Sequence, residues 1–422
     1  MAIDDTAWLL FAAGLANQMG RVMIPAIKTS VQSDAVMGAE FKDKVGYFLS
    51  LVSIVCLGGK VLGGMVTDRL GGWLVLISVF AIWIVSTIGS ILSPSVDVFG
   101  YAWLLNSFAY TITWGAVVQV IGATYDEAGK SANLAFCASA SRFGATIGNI
   151  TFGQLLLAGL NWRDVMKPIL MVQVLLLVLC IFKWSAGKKE PGAAAATTGK
   201  KGADAASKPA AEEPGPSMMA AFVDPDFYLM LIPKTVTFTF TQFFMNYIPQ
   251  LLKEAYGYDD GTAATLGGVA QGGSVVGLLY VGAFYKKLNG EQKVRLVFLE
   301  LLLCAVVPYA LSLGPDTLGR IAVVPLLVVW GVAYALPFYI PPGEFAMQVG
   351  GKKGTALFTN VFDAAGFAMS ATWNPWASGL AKSGNFETVL LSQAAFGLLS
   401  LLTMPLCMLR QNAKAAAGKK KQ

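Results

Sequence analysis

The sequence predicts an all-α polytopic membrane protein, with twelve transmembrane helices in two pseudo-symmetric six-helix halves. Three observations predict it. Of 422 residues, 55% are hydrophobic and only 13% charged, against about 25% charged in a soluble domain. The apolar residues fall in runs of about twenty, the length a helix needs to cross a hydrocarbon core of about 30 Å. Those runs divide six and six around one stretch of different composition.

The spans are read at 6–27, 46–66, 72–93, 99–124, 134–158 and 165–184, then at 227–252, 264–284, 294–314, 319–342, 355–380 and 386–409. Residues 1–184 form the first half and 221–412 the second. Between them, 185–220 is rich in Ala, Gly, Pro and Lys (Lys188, Lys189, Pro191, Lys200, Lys201, Pro209); it buries too little apolar surface to order itself and reads as a flexible cytoplasmic linker. A basic tail, 413–422, ends in Lys419-Lys420-Lys421 and suits an anionic lipid surface.

Orientation follows from basic bias in the loops. With the N-terminus cytoplasmic, nineteen Lys and Arg fall on the inner side and eight on the outer, leaving four within spans. Both termini and the linker are therefore expected in the cytoplasm. The first apolar run starts at once and lacks a basic leader, so no cleavable signal peptide is expected.

Composition excludes several classes. There is no histidine, which removes the commonest acid/base group, metal ligand and proton switch. Cys56, Cys137, Cys180, Cys304 and Cys407 sit inside apolar runs and read as small buried hydrophobes. No phosphate loop, dinucleotide fingerprint, nucleophile elbow or zinc-type spacing is present, so neither an enzyme, a cofactor nor a metal is expected. Nucleic-acid binding has no support.

The halves resemble each other weakly. Gly58-Gly59-Lys60-Val61-Leu62-Gly63 in span 2 matches Gly272-Gly273-Ser274-Val275-Val276-Gly277 in span 8, and Trp114-Gly115 in span 4 matches Trp330-Gly331 in span 10. Parallel repeats of this kind mark a transporter with its site between the halves, near the membrane midplane.

Ionisable residues within spans are costly, roughly 2.5–3.5 kcal/mol at a helix centre on insertion scales, and so mark function by default. Four are basic: Arg21, Lys60, Arg142 and Lys234. Only Asp363 and Glu300 are acidic at comparable depth, and Glu344 follows Pro341-Pro342. The basic excess points to an anionic substrate. Arg21 shares a helix face with Asn17 and Gln18; its plainer reading is snorkelling to the interface, as for Lys234. Lys60 and Arg142 bind substrate or sit in structural pairs. Asp363 pairs with Arg142 or carries a coupling proton. Glu300 is expected to pair with Arg295 or Lys293. Thr241 and Gln242 on span 7 line the path or a helix contact. Trp114 and Trp330 cover the substrate or pack in the core. Trp162, Trp184, Trp373 and Trp376 read as interfacial belts.

Gly64-Met65-Val66-Thr67-Asp68-Arg69-Leu70-Gly71-Gly72, between spans 2 and 3, resembles the loop signature of the major facilitator superfamily, and the resemblance extends over nearly the whole chain. It implies that Asp68, with Arg69 beside it, locks the cytoplasmic gate, and, because spans 2 and 11 face each other in the family, that Asp363 can pair with Lys60 across the halves. The basic pair that follows in the family is replaced here by Gly72 and Trp73. Gly46-Tyr47-Phe48-Leu49-Ser50, Lys60, Ile248-Pro249-Gln250-Leu251-Leu252-Lys253-Glu254 and Asn161-Trp162-Arg163 resemble the organophosphate and organic-anion branch. That branch holds phosphate with an Arg of span 1 and a basic residue of span 7, which implies Arg21 and Lys234. The histidine some members place there is absent.

The expected function is secondary active transport of a small anionic metabolite (an organophosphate, phosphate or organic carboxylate) by alternating access, through exchange or with a coupling proton or sodium ion. Arg21, Lys60, Arg142 and Lys234 would hold the anion, with Asn17, Gln18, Trp114, Thr241, Gln242 and Trp330 around it and Asp68, Arg69 and Asp363 gating. One monomer contains a complete pathway. The alternatives are a carrier of a neutral or cationic solute whose basic residues sit in structural pairs, and a non-transporting membrane sensor or scaffold.

Overall fold

The computed structural model describes residues 4–189, 222–285 and 287–419, with the side chains at 61, 64, 68, 127, 128, 130–132, 135, 187–189, 350–357, 418 and 419 outside the description. The described residues form helices and short connections, with no strand among them. The first half comprises α1 (Asp5–Gln32), α2 (Gly38–Leu70), α3 (Gly72–Ile91), α4 (Val96–Thr124), α5 (Glu127–Leu157), the single turn α6 (Trp162–Val165) and α7 (Lys167–Lys189). The second comprises α8 (Pro225–Asn246), α9 (Ile248–Glu254), α10 (Asp260–Val276) and α11 (Gly282–Tyr285) joined by a π-helical turn at Gly277–Val281, then α12 (Gly290–Ser312), α13 (Pro315–Lys382) and α14 (Phe386–Lys419). The linker from 190 onward and the last tail residues lie outside the described residues, whereas α7 and α14 extend past the expected span ends at 184 and 409.

Helix starts follow the sequence. The carboxylates of Asp4 and Asp259 accept the amides of Ala7 and Thr262 at 2.8 Å, each meeting one of the unsatisfied N–H groups of a first turn. Asn289 and Gln292 cap α12 reciprocally. Gly71, in the loop signature, has φ +83°, and only glycine adopts that conformation without strain.

Seven helical stretches among the described residues are long and apolar enough to cross a membrane. Spans 1, 2, 5, 7 and 11 are not among them, and each of these five carries one of Arg21, Lys60, Arg142, Lys234 and Asp363. Their polarity has a destination inside the protein.

α13 contains two spans. The rings of Phe345 and Phe362 lie 6.0 Å apart, whereas seventeen residues of straight helix would separate them by about 25 Å. The chain therefore reverses between them. Span 10 was expected to stop at Pro342, yet helix continues past Pro341-Pro342 to at least Val349. Proline at 342 removes the N–H that the Phe338 carbonyl would have accepted; Lys234 Nζ donates to that carbonyl instead, at 3.2 Å.

Two apolar clusters belong to single halves, one around Leu10, Phe80, Trp83 and Ile121 and one around Phe227, Leu301, Phe362 and Met404. A third joins both halves, with Ile27, Phe48 and Phe152 of the first and Phe243, Leu251 and Trp373 of the second. It lies at the end of the bundle opposite the N-terminus, hereafter the far side. There the halves touch closely. A Cβ on Gly268 would stand 2.8 Å from Ile150 Cγ1 and 2.9 Å from its amide nitrogen, and one on Gly46 would stand 2.9 Å from Ser378 Cβ. Ser50 donates to the Ala371 carbonyl at 2.7 Å, and Asn374 Nδ2 to Ser53 Oγ at 3.2 Å.

Some peripheral expectations are corrected. Arg295 pairs with Glu291 and Lys293 with Glu344, which leaves Glu300 buried with both oxygens unpartnered. Trp162 and Trp373 are buried rather than interfacial. Trp162 turns inward because its indole N–H donates to Asp34 at 2.8 Å, and Trp373 packs edge-on against Tyr247 at 5.4 Å.

Candidate functional site

Between the halves lies a cavity of about 380 Å³. It meets solvent where Trp114, 40% exposed, and the exposed Ala138 line it. Both belong to the parts of α4 and α5 nearest the connection at 125–126, on the side of the N-terminus. The far end is closed by the shared apolar cluster.

Arg21, one turn past Asn17 and Gln18 on α1, reaches into this cavity. Its Nη1 donates to Tyr110 Oη at 2.6 Å, and its guanidinium carbon lies 4.1 Å from the Tyr110 ring centroid. Arg142 of α5 lies over Tyr339 of the other half, 3.9 Å from the ring centroid. Neither arginine makes an ion pair with a described residue. A guanidinium laid on an aromatic face keeps further N–H donors at its edge for a planar anion, which it can bind through two parallel hydrogen bonds.

The lysines are arranged differently. Lys60 Nζ stands 3.9 Å from Asp363 Oδ2 and Lys234 Nζ 3.6 Å from Asp363 Oδ1. One carboxylate therefore serves two ammoniums, one from each half. Lys234, only 5% exposed, also lies 3.3 Å from the Phe338 ring centroid. It stands behind the cavity wall and touches the cavity through Asp363. The expected Lys60–Asp363 pair across the halves is present, and Lys234 occupies the place allowed to Arg142. Among the described residues four basic groups face one acid, an excess of three positive charges.

Polar wall groups add a second chemistry. The Asn17 and Gln271 carboxamides, 7% and 4% exposed, line the cavity from opposite halves, and their oxygens have no partner among the described residues. A buried unmade hydrogen bond costs about 1–3 kcal/mol, so these groups suit a ligand bearing donors. Thr241 also lines the cavity, but its hydroxyl donates to the Phe238 carbonyl. Gln18 and Trp114 also line it.

Gln242 lies instead beside a smaller pocket behind Arg21, where its Oε1 accepts from Asn246 Nδ2 at 3.0 Å. Trp330 is fully buried among Phe240, Phe243 and Phe244, with centroids 5.1–5.6 Å away. The repeat equates it with Trp114, but unlike Trp114 it does not line the cavity. Arg69 is exposed at the end of α2, and the side chain of Asp68 lies outside the described residues. Tyr110, Gln271, Phe338 and Tyr339 are site residues that sequence reasoning missed. Tyr110 had a signal, being one helical turn from Trp114 on the same face.

The sequence profile of the Major Facilitator Superfamily matches residues 6–373. Among solved structures, a D-xylose-proton symporter is 14% identical with a TM-score of 0.71, over 94% of this chain and 96% of that one. A nucleoside transporter is likewise 14% identical with a TM-score of 0.67, over 94% of this chain and 99% of that one. No curated protein sequence matches. With its profile matched over most of its length and its twelve spans folded around a central cavity, the chain belongs to the Major Facilitator Superfamily.

Proposed function

We propose that this member of a carrier superfamily moves a small anionic metabolite across the membrane by alternating access. The observation that carries the reading is the excess of three positive charges at the cavity among the described residues, with neither Arg21 nor Arg142 paired to a described acid. Binding an anion there supplies the missing counter-charge. It also competes with Asp363 for Lys60, while Lys234 keeps the carboxylate in the second half. The pair joining the halves is thereby weakened when the site fills, which lets them rock. The basic loop bias puts the N-terminal side in the cytoplasm, so the cavity as seen opens inward. On this reading Asp68 and Arg69 belong to the cytoplasmic gate, and one monomer suffices.

A second reading has support in the unpartnered carboxamides of Asn17 and Gln271 and in the pairing of both lysines with Asp363. It is transport of a neutral hydroxylated solute, the class of the xylose named for the symporter of similar fold. Reconstituted protein should decide. Counterflow of a radiolabelled sugar phosphate or carboxylate, abolished in Arg21→Ala and Arg142→Ala with folded protein retained, supports the anion. Counterflow of xylose or a nucleoside that survives both changes overturns it.

A further inference from the structure

The far end of the cavity is held shut by a lysine whose counter-charge lies one side chain away. Lys28 of α1 is 1% exposed. Its ammonium donates to the Asn246 carbonyl and, at 2.8 Å, to Gln250 Oε1, and lies 4.7 Å from the Tyr247 ring centroid. All three groups belong to the second half, at the break between α8 and α9. Lys28 thus caps the C-terminal end of a helix in the opposite half, where carbonyl dipoles converge. Among the described residues it has no carboxylate within ion-pair distance.

Gln250, itself 4% exposed, passes the contact on: its Nε2 donates to Glu254 Oε1 at 3.0 Å. Glu254 ends α9 and is exposed. It lines a far-side chamber of about 250 Å³ with Lys42 of α2, Lys253 of its own helix and Lys382 at the end of α13. Lys253 is held by Asp260 at 2.7 Å, and Lys382 is held by Asp43. Those two acids are thus answered directly by lysines and do not touch the latch. Glu254 does, through one neutral amide.

An ammonium buried against neutral acceptors alone is expensive, and a carboxylate in direct contact would fix it permanently. The relay does neither: the stabilising charge sits at the solvent, where its protonation can be set from one side of the membrane. We propose that Glu254 is a proton-binding site that sets the strength of the Lys28 latch. Ionised, it holds the far end closed; protonated from the far side, it withdraws the compensating charge from Lys28 and lets that end open. The inference rests on the alternating-access reading and supplies its coupling ion, a proton taken up on the far side.

The experiment measures opening without any transported solute. Ser378→Cys, in the chamber wall against Gly46, is labelled with a maleimide in detergent. The rate is divided by that of Val36→Cys, an 85%-exposed position on the same face, to remove the pH dependence of the thiol itself. The native cysteines are all buried. Between about pH 7.5 and about pH 5 the normalised rate is expected to rise about fivefold or more, the low end of coupling between sites. With Glu254→Gln added it should be fast and flat across that range, and with Lys28→Met it should lose its pH response. A flat profile in Ser378→Cys alone, or a pH response that persists with Glu254→Gln, overturns the proton site. Anion counterflow that survives either outcome leaves the transport reading intact, so the two failures are distinguishable.

Discussion

Asp363→Asn tests the charge arrangement at its centre. In the structure Asp363 stands 3.6 Å from Lys234 and 3.9 Å from Lys60, and the side chains are 24%, 7% and 23% exposed respectively. At an effective dielectric of about 20, each attraction amounts to about 4–5 kcal/mol before desolvation is subtracted. Removing one partner of a buried pair leaves the others uncompensated and costs about 3–5 kcal/mol. With an unfolding entropy of about 2 cal/mol/K per residue, that corresponds to a melting temperature lower by about 4–6 °C. The assay is a fluorescence melt of the purified variant beside Lys234→Met and the double variant. Lys234→Met/Asp363→Asn should recover most of the loss, because the buried ammonium goes with its partner. An Asp363→Asn protein that melts like the parent, or a double variant no more stable than the single, refutes the shared-carboxylate arrangement.

Three further outcomes follow from other parts of the structure. Arg142→Lys keeps the charge but loses the planar fork over Tyr339, so anion affinity should fall about 10- to 100-fold by titration calorimetry. Gly268→Val would place a side chain into Ile150 across the seam; overpacking of this kind costs about 1–3 kcal/mol, to be read as a lower melting temperature. The Asp34 carboxylate is held below the usual carboxylate range by the Trp162 indole N–H, the Met37 and Val36 amides and nearby Arg163. Its contribution is therefore present above its unfolded value and is lost as pH falls through the folded one. Asp34→Asn should cost about 1.5–3 kcal/mol near neutral pH, and the difference should shrink progressively as melts are taken below about pH 4.

Twelve spans and the two-half plan were legible because hydrophobic run length and the linker's composition are local properties. The intramembrane charges were legible for the same reason: Arg21, Lys60, Arg142 and Asp363 stand out against apolar neighbours, and all four line the cavity. What could not be read was partnership across the fold. Asp363 had two basic suitors in sequence terms, and the freed carbonyl of Phe338 drew Lys234 to the same place. Trp330 matched Trp114 by repeat, yet three phenylalanines of α8 cover it, and a repeat carries no information about which aromatic layer lies inside. Glu300 was expected to meet a basic neighbour, but Arg295 and Lys293 took Glu291 and Glu344 instead. Tyr110 and Tyr339 were missed because tyrosine in a span is unremarkable until an arginine lies on it.

The most direct test of the central claim is a thermal-shift titration of the purified protein with sugar phosphates, inorganic phosphate, carboxylates, neutral sugars and nucleosides. A ligand that binds only the folded state raises stability by about 2.7 kcal/mol at a hundred times its dissociation constant. Stabilisation by one anion class, lost in Arg21→Ala and in Lys60→Ala, is the expected result. Stabilisation by neutral sugars or nucleosides alone, unchanged in both variants, would contradict it and assign the basic residues to structure.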